Sequence, residues 1–136
     1  MGVAVTVNTE LRTRYNTWTQ KPPTEFPNEV HTPQNPPALW ARVSILGGEE
    51  QRMDIGTGSE SRTYRKPGVL IIQLFAPLNQ GNNAVLAAAD QISDIFRNWC
   101  GATITCGATS INDLGNDNQG YYQVNCTVPF HTDYLA

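Results

Sequence analysis

The chain has 136 residues, 40% hydrophobic and 15% charged, with Lys+Arg 9 against Asp+Glu 12 and a formal net charge of -3. That length suits one domain able to bury about two thirds of its unfolded surface. The sparse basic content leaves no electrostatic footprint for wrapping nucleic acid. No apolar run approaches the roughly 20 residues that span a bilayer, and Met1-Gly2-Val3 lacks the charged start of a signal peptide.

Ala4, Val7, Leu11, Tyr15 and Trp18 recur at spacings of three and four. This predicts one face of a helix ending near Gln20, because Lys21 precedes Pro22-Pro23. Residues 21–37 then hold Pro22, Pro23, Pro27, Pro33, Pro36 and Pro37, an extended connector with a short edge strand at Phe26 to Val30. Leu39 to Leu46 alternates, with Ala41, Val43 and Ile45 on one side and Arg42 and Ser44 on the other, as a half-buried strand does. After Gly47-Gly48, Gln51, Met53 and Ile55 form a second short strand, and residues 56–61 a polar tip.

Residues 62–75 return as a long central strand. Its apolar part has no solvent side: Val69, Ile71 and Phe75 take one parity, Leu70, Ile72 and Leu74 the other. Such a strand should be covered twice, by the helix that follows it and by another body, a second copy of the chain being one candidate. That helix is marked by Val85, Ala88, Ala89, Ile92, Ile95, Phe96 and Trp99 on one face and by Asp90, Gln91, Ser93 and Asp94 opposite. Residues 79–83 supply turn and cap chemistry, and Gly101 a stop. Ala102 to Cys106 and Thr109 to Leu114 are weaker strands, followed by a turn over 115–120. Tyr122, Val124, Cys126, Val128 and Phe130 then alternate with Gln123, Asn125 and Thr127 in a one-sided antiparallel strand. The order predicts an α+β domain, a mainly antiparallel sheet with an N-terminal helix and a central helix packed on it.

Candidate chemistry is sparse. His31 and His131, the latter in His131-Thr-Asp133, are better explained as solvated side chains than as ligands, because a metal site needs three or four convergent donors. Gly56-Thr-Gly58 lacks the Gly-Lys-Ser/Thr of a phosphate loop. Cys100, Cys106 and Cys126 form no Cys-x-x-Cys and are odd in number, so buried free thiols in a reducing cytoplasm are expected. No catalytic set, cofactor or metal is predicted. Arg62, Arg65 and Lys66 bracket Tyr64 at the entrance to the central strand, and either form an ordinary solvated edge or meet Glu49, Glu50 or Asp54 of a neighbouring subunit.

Three stretches carry a family resemblance: Trp40-Ala-Arg-Val-Ser-Ile-Leu-Gly-Gly-Glu49, Tyr64-Arg-Lys-Pro-Gly-Val-Leu-Ile-Ile-Gln-Leu-Phe-Ala-Pro77, and Gly120-Tyr-Tyr-Gln-Val-Asn-Cys-Thr-Val-Pro-Phe130, with the Ala/Asp helix at 84–97 between the last two. In order and spacing they resemble the tail-terminator-like, or tail-completion, proteins of long-tailed bacteriophages and prophages. The resemblance implies a single domain over 1–136 and a structural rather than enzymatic role. It further implies a homohexameric ring in the neck of the virion, assembled in the host cytoplasm. Such a ring would sit on the last ring of tail-tube protein, stop tube growth and meet the head-completion or connector protein, with DNA passing through unbound and no membrane contact. A head-closure stopper and, from another class, a small enzyme with a dispersed site are the alternatives.

Overall fold

A computed structural model describes residues 3–30, 38–53 and 63–135. The elements are α1 (Val3–Tyr15), β1 (Thr24–Glu25), β2 (Trp40–Gly47), β3 (Gln51–Arg52), β4 (Thr63–Pro77), α2 (Asn83–Phe96), β5 (Ile104–Cys106), β6 (Ser110–Asn116) and β7 (Tyr121–Leu135). The strands make one sheet in the order β1-β2-β4-β7-β5, with β3 added to β4 and β6 to β7. Only the β1–β2 pair is parallel. This is the α+β architecture the periodicities predict. No helix among the described residues is long and apolar enough to cross a membrane.

The two 15-residue strands β4 and β7 pair along their whole length, from Thr63↔Leu135 to Pro77↔Tyr121. Each carries a proline, which cannot donate to a ladder and so belongs where the neighbouring strand is interrupted. On the outer edge of β4, β2 begins its pairing at Gly68 and β3 pairs Arg65 and Tyr64, and Pro67 lies in the gap between them. On the outer edge of β7, β6 pairs as far as Thr127 and β5 from Phe130, and Pro129 lies in that gap. A glycine bridges each gap, Gly48 N–H donating to the Pro67 carbonyl at 2.7 Å and Gly107 N–H to that of Pro129 at 2.8 Å.

Register decides which side chains share a face. Ala41 and Val43 of β2, Leu70, Ile72 and Leu74 of β4, and Val124, Cys126 and Val128 of β7 are buried on one face. Val85, Ala88, Ala89, Ile92 and Phe96 of α2 cover them, beside Val7, Leu11 and Tyr15 of α1. Gly68, opposite Phe130, leaves room for that ring: a Cβ there would lie 2.5 Å from Phe130 Cζ and 2.8 Å from the Leu46 carbonyl oxygen.

The helices end elsewhere than the periodicity suggests. α1 stops at Tyr15, and Trp18 reaches the core from a turn closed by Trp18 N–H to the Tyr15 carbonyl at 3.0 Å. The apolar spacing runs on because a tight turn keeps the same side inward. α2 stops at Phe96, where Asn98 at φ 52, not Gly101, takes the left-handed position. Asparagine tolerates that conformation better than most residues. Asn82 occupies the N-cap without a side-chain cap bond. The short edge strand falls at Thr24–Glu25, before rather than after Phe26, whose ring turns inward beneath the Arg12 guanidinium at 3.9 Å. Of the second short strand, Gln51 and Arg52 are observed, while Ile55 and the 56–61 tip lie outside the described residues.

The opposite face of the sheet is the one for which cover by another body, such as a second copy of the chain, is expected. Both helices lie on the first face, and no helix among the described residues covers the second. Val69 and Ile71 are half-buried there. Trp40 and Phe75 are nonetheless buried, stacked on each other at 4.4 Å with Tyr121 edge-on to both. The aromatic side chains shield one another on this face.

Phe96 is fully buried between helix and sheet. Phe96→Ala is expected to lower stability by about 3–5 kcal/mol, read as a shift of the urea unfolding midpoint with the slope unchanged.

Candidate subunit interface

The predicted contact residues gather where β2, β3 and β4 meet. β2 runs out at Gly47, and Gly48 crosses close to Pro67, where a Cβ would lie 3.1 Å from the proline ring and carbonyl. Glu49 and Glu50 follow as exposed residues, and β3 then returns along Arg65 and Tyr64. Asp54 and Arg62 lie outside the described residues.

Strand alternation separates the remaining three. Arg65 stands on the open face of the sheet, where its Nε and Nη2 donate to the two carboxylate oxygens of Asp133 at 2.8 and 3.0 Å. Asp133 is its cross-strand partner. This two-point bond holds the Asp133 carboxyl below its ordinary pKa and raises that of Arg65. His131 Nε2 stands 4.0 Å from Asp133, too far for a hydrogen bond. Tyr64 and Lys66 point to the helix side. Tyr64 stacks on Tyr134 with ring centroids 6.1 Å apart. Lys66 borders a cleft of about 260 Å³ beneath the start of α1, lined by Val7, Ile45, Pro67 and Phe130 among others. The sequence-predicted set is therefore one strand edge with two outlets, an internally neutralised Arg65–Asp133 pair on one face and Lys66 at an apolar cleft on the other. His31 lies outside the described residues, and among these no three His, Cys, Asp or Glu side chains gather as metal donors.

Contacts that periodicity does not reveal fix α1 over this region. Arg14 donates from Nε and Nη2 to the Ile95 carbonyl at 2.9 and 2.7 Å, satisfying an end of α2 that carries no basic residue in its own last turn. Trp18 Nε1 donates to Gln91 Oε1 at 2.6 Å. Glu10 accepts from the backbone N–H of Thr103 at 3.1 Å and from its hydroxyl. Gly101 gives Glu10 room, since a Cβ there would stand 2.5 Å from the carboxylate.

The thiols split. Cys106 and Cys126 are buried and free, as expected, whereas Cys100 is exposed. Burial pushes the Cys106 thiol up to about 11 and the Cys126 thiol up to about 12. Tyr15 also rises to about 12, through burial that outweighs its 2.8 Å hydrogen bond with Thr24.

Two helices on one face of a mostly antiparallel sheet, with an exposed acidic turn and an apolar cleft bordered by a lysine, define an α+β protein. A family model described as phage tail terminator protein matches residues 6–130, and the chain belongs to that family, a component of the virion tail. The family is structural, which bears out the resemblance seen in the sequence and implies a protein that is not an enzyme. No curated protein sequence matches the chain. A solved structure of similar fold has 13% identity to this chain, a TM-score of 0.62 and coverage of 97% of this chain and 94% of that one.

The raised thiol and phenol values set an alkaline limit. Unfolded, these groups lose their protons near the ordinary 9.0 and 10.0, whereas the folded chain holds them to about 11 or 12. Above about pH 9 the unfolded state binds fewer protons, so stability falls as pH rises. Unfolding midpoints should drop between about pH 9 and about pH 12, and less steeply in Cys126→Ala.

Proposed function

We propose that this tail terminator acts as a homohexameric ring, one 1–136 domain per subunit. It sits on the last ring of the tail tube, ends tube growth and presents the surface that the head-completion or connector protein meets. The observation that carries the reading is the family match over 6–130, which takes in α2, most of α1 and β7, and every element between them. The acidic turn at Glu49 and Glu50 supports a charged subunit contact, because both residues are exposed at the end of a strand held in place by the Gly48–Pro67 bond. DNA passes through the ring without specific binding, a role to which the net charge of -3 is suited.

Such a protein works by occupancy, stoichiometrically and without turnover. Tube protein polymerised with this chain is expected to stop lengthening once tube ends are saturated, at about one ring per tube by mass action. Electron microscopy of tube lengths, with labelled protein located at one end, checks this. Tubes that grow equally long and carry none of the protein at an end would move the reading to a head-closure stopper.

The paired substitution Glu49→Lys with Glu50→Lys is expected to leave the monomer folded by circular dichroism and to lower the ring population in native mass spectrometry. Added salt should weaken the wild-type ring in the same direction.

A further inference from the structure

A ring of identical subunits joined head to tail needs two different surfaces on each copy. Lys66 and the apolar cleft beneath α1 make one. The other is found on β6, on the far side of β7 from β4. Pairing along β6 steps from Asp113↔Val124 to Gly115↔Gln123, so Leu114 is the extra residue of a bulge. A bulge re-aims a side chain out of the ladder. Leu114 is 51% exposed and Ile111, on the same strand, 39%. An outer strand carrying two exposed aliphatic side chains invites further association.

Resting on the ring reading above, we propose that Leu114 of one copy seats in the cleft beneath α1 of the next. Size favours a side chain as occupant, since the cleft measures about 260 Å³ and small-molecule sites run from roughly 300 to 1,000 Å³. Chemistry favours a leucine flanked by an acid. The lining includes Ala4, Val7, Ile45, Pro67 and Phe130, and Lys66 is its one charged member. Asp113 precedes Leu114 and accepts from the Tyr122 hydroxyl at 2.6 Å, which fixes the carboxylate beside the bulge. The occupant is therefore a second copy of this chain, its apolar residue in the cleft and its carboxylate toward Lys66. Apolar burial supplies affinity and the opposite charges set register.

Disulfide trapping on the full chain tests the contact. The exposed thiol is first removed by Cys100→Ser, and two proteins are made in that background, one with Asn8→Cys at the cleft rim and one with Leu114→Cys. Oxidation of the mixture is expected to give a disulfide dimer containing one of each, and oxidation of either alone to give none. In native mass spectrometry, Leu114→Asp should raise the ring's dissociation constant about tenfold or more while circular dichroism stays unchanged. A ring in the parent protein with no mixed disulfide overturns this docking and leaves the ring reading standing. Dimers of Leu114→Cys with itself overturn it in favour of a two-fold contact. A parent protein that forms no ring, alone or on tube ends, overturns both.

Discussion

The antiparallel pairing of β4 with β7 is the constraint on which the rest depends. Both strands are 15 residues long, and every β4 residue has a partner on β7. A slip of one residue would turn either Leu70, Ile72 and Leu74 or Val124, Cys126 and Val128 to the wrong face. Two prolines then limit what can be added. Pro67 and Pro129 interrupt the outer ladders, so each flank is made of two shorter strands, β2 with β3 and β6 with β5. Gly48 and Gly107 close the gaps by approaches that a larger residue would crowd: a Cβ would stand 3.1 Å from the Pro67 ring at one and 3.3 Å from the Pro129 ring at the other.

α1 is joined to this frame differently from α2. α2 has a continuous apolar face and is held by burial. α1 sets only Val7, Leu11 and Tyr15 inward, with Trp18 from the following turn, and adds directional bonds. Arg14 at the carbonyl end of α2, Glu10 at Thr103 and Trp18 at Gln91 tie it down at three places. Hydrogen bonds to charged groups contribute about 1.5–3 kcal/mol each when well made, enough to fix the orientation of a helix whose burial is modest. That orientation matters because the start of α1 roofs the cleft that Lys66 borders.

Elements governed by a strict period were legible in the sequence. The alternation from Tyr122 to Phe130 and the face from Val85 to Phe96 describe what the structure buries, the double apolar run from Val69 to Phe75 does so for Leu70, Ile72, Leu74 and Phe75, and with the motif order they led to the right family. Ends were less legible, because several residues can perform the same stop. Asn98 takes the left-handed position that Gly101 also suits, and the turn after Tyr15 carries Trp18 inward at helical spacing. At the candidate interface, Arg65 and Lys66 read as one basic patch, yet a strand sends them to opposite faces, and Asp133, distant in sequence, neutralises Arg65. The bulge at Leu114 depends on how β6 registers against β7, which no local pattern encodes.

On the open face of the sheet, part of the doubly apolar strand is shielded by aromatic neighbours. Trp40, Phe75 and Tyr121 cover one another, and Arg42 extends over the first two at 5.3 and 5.5 Å while bonding Glu25 at 3.2 Å. Arginine buries its stem and planar head on aromatic rings while its charge stays satisfied. Further along, Gln123 bonds Asn125 at 2.8 Å, so uncharged amides occupy one stretch of β7 on this face. Its apolar half is thus shielded from within and its polar half needs no covering layer. The demand for burial that Val69 and Ile71 make is met only in part, and both remain half-buried. Exposed Leu46, the cross-strand partner of Val69, stands on this same face, whereas exposed Ile111 and Leu114 belong to β6, beyond β7.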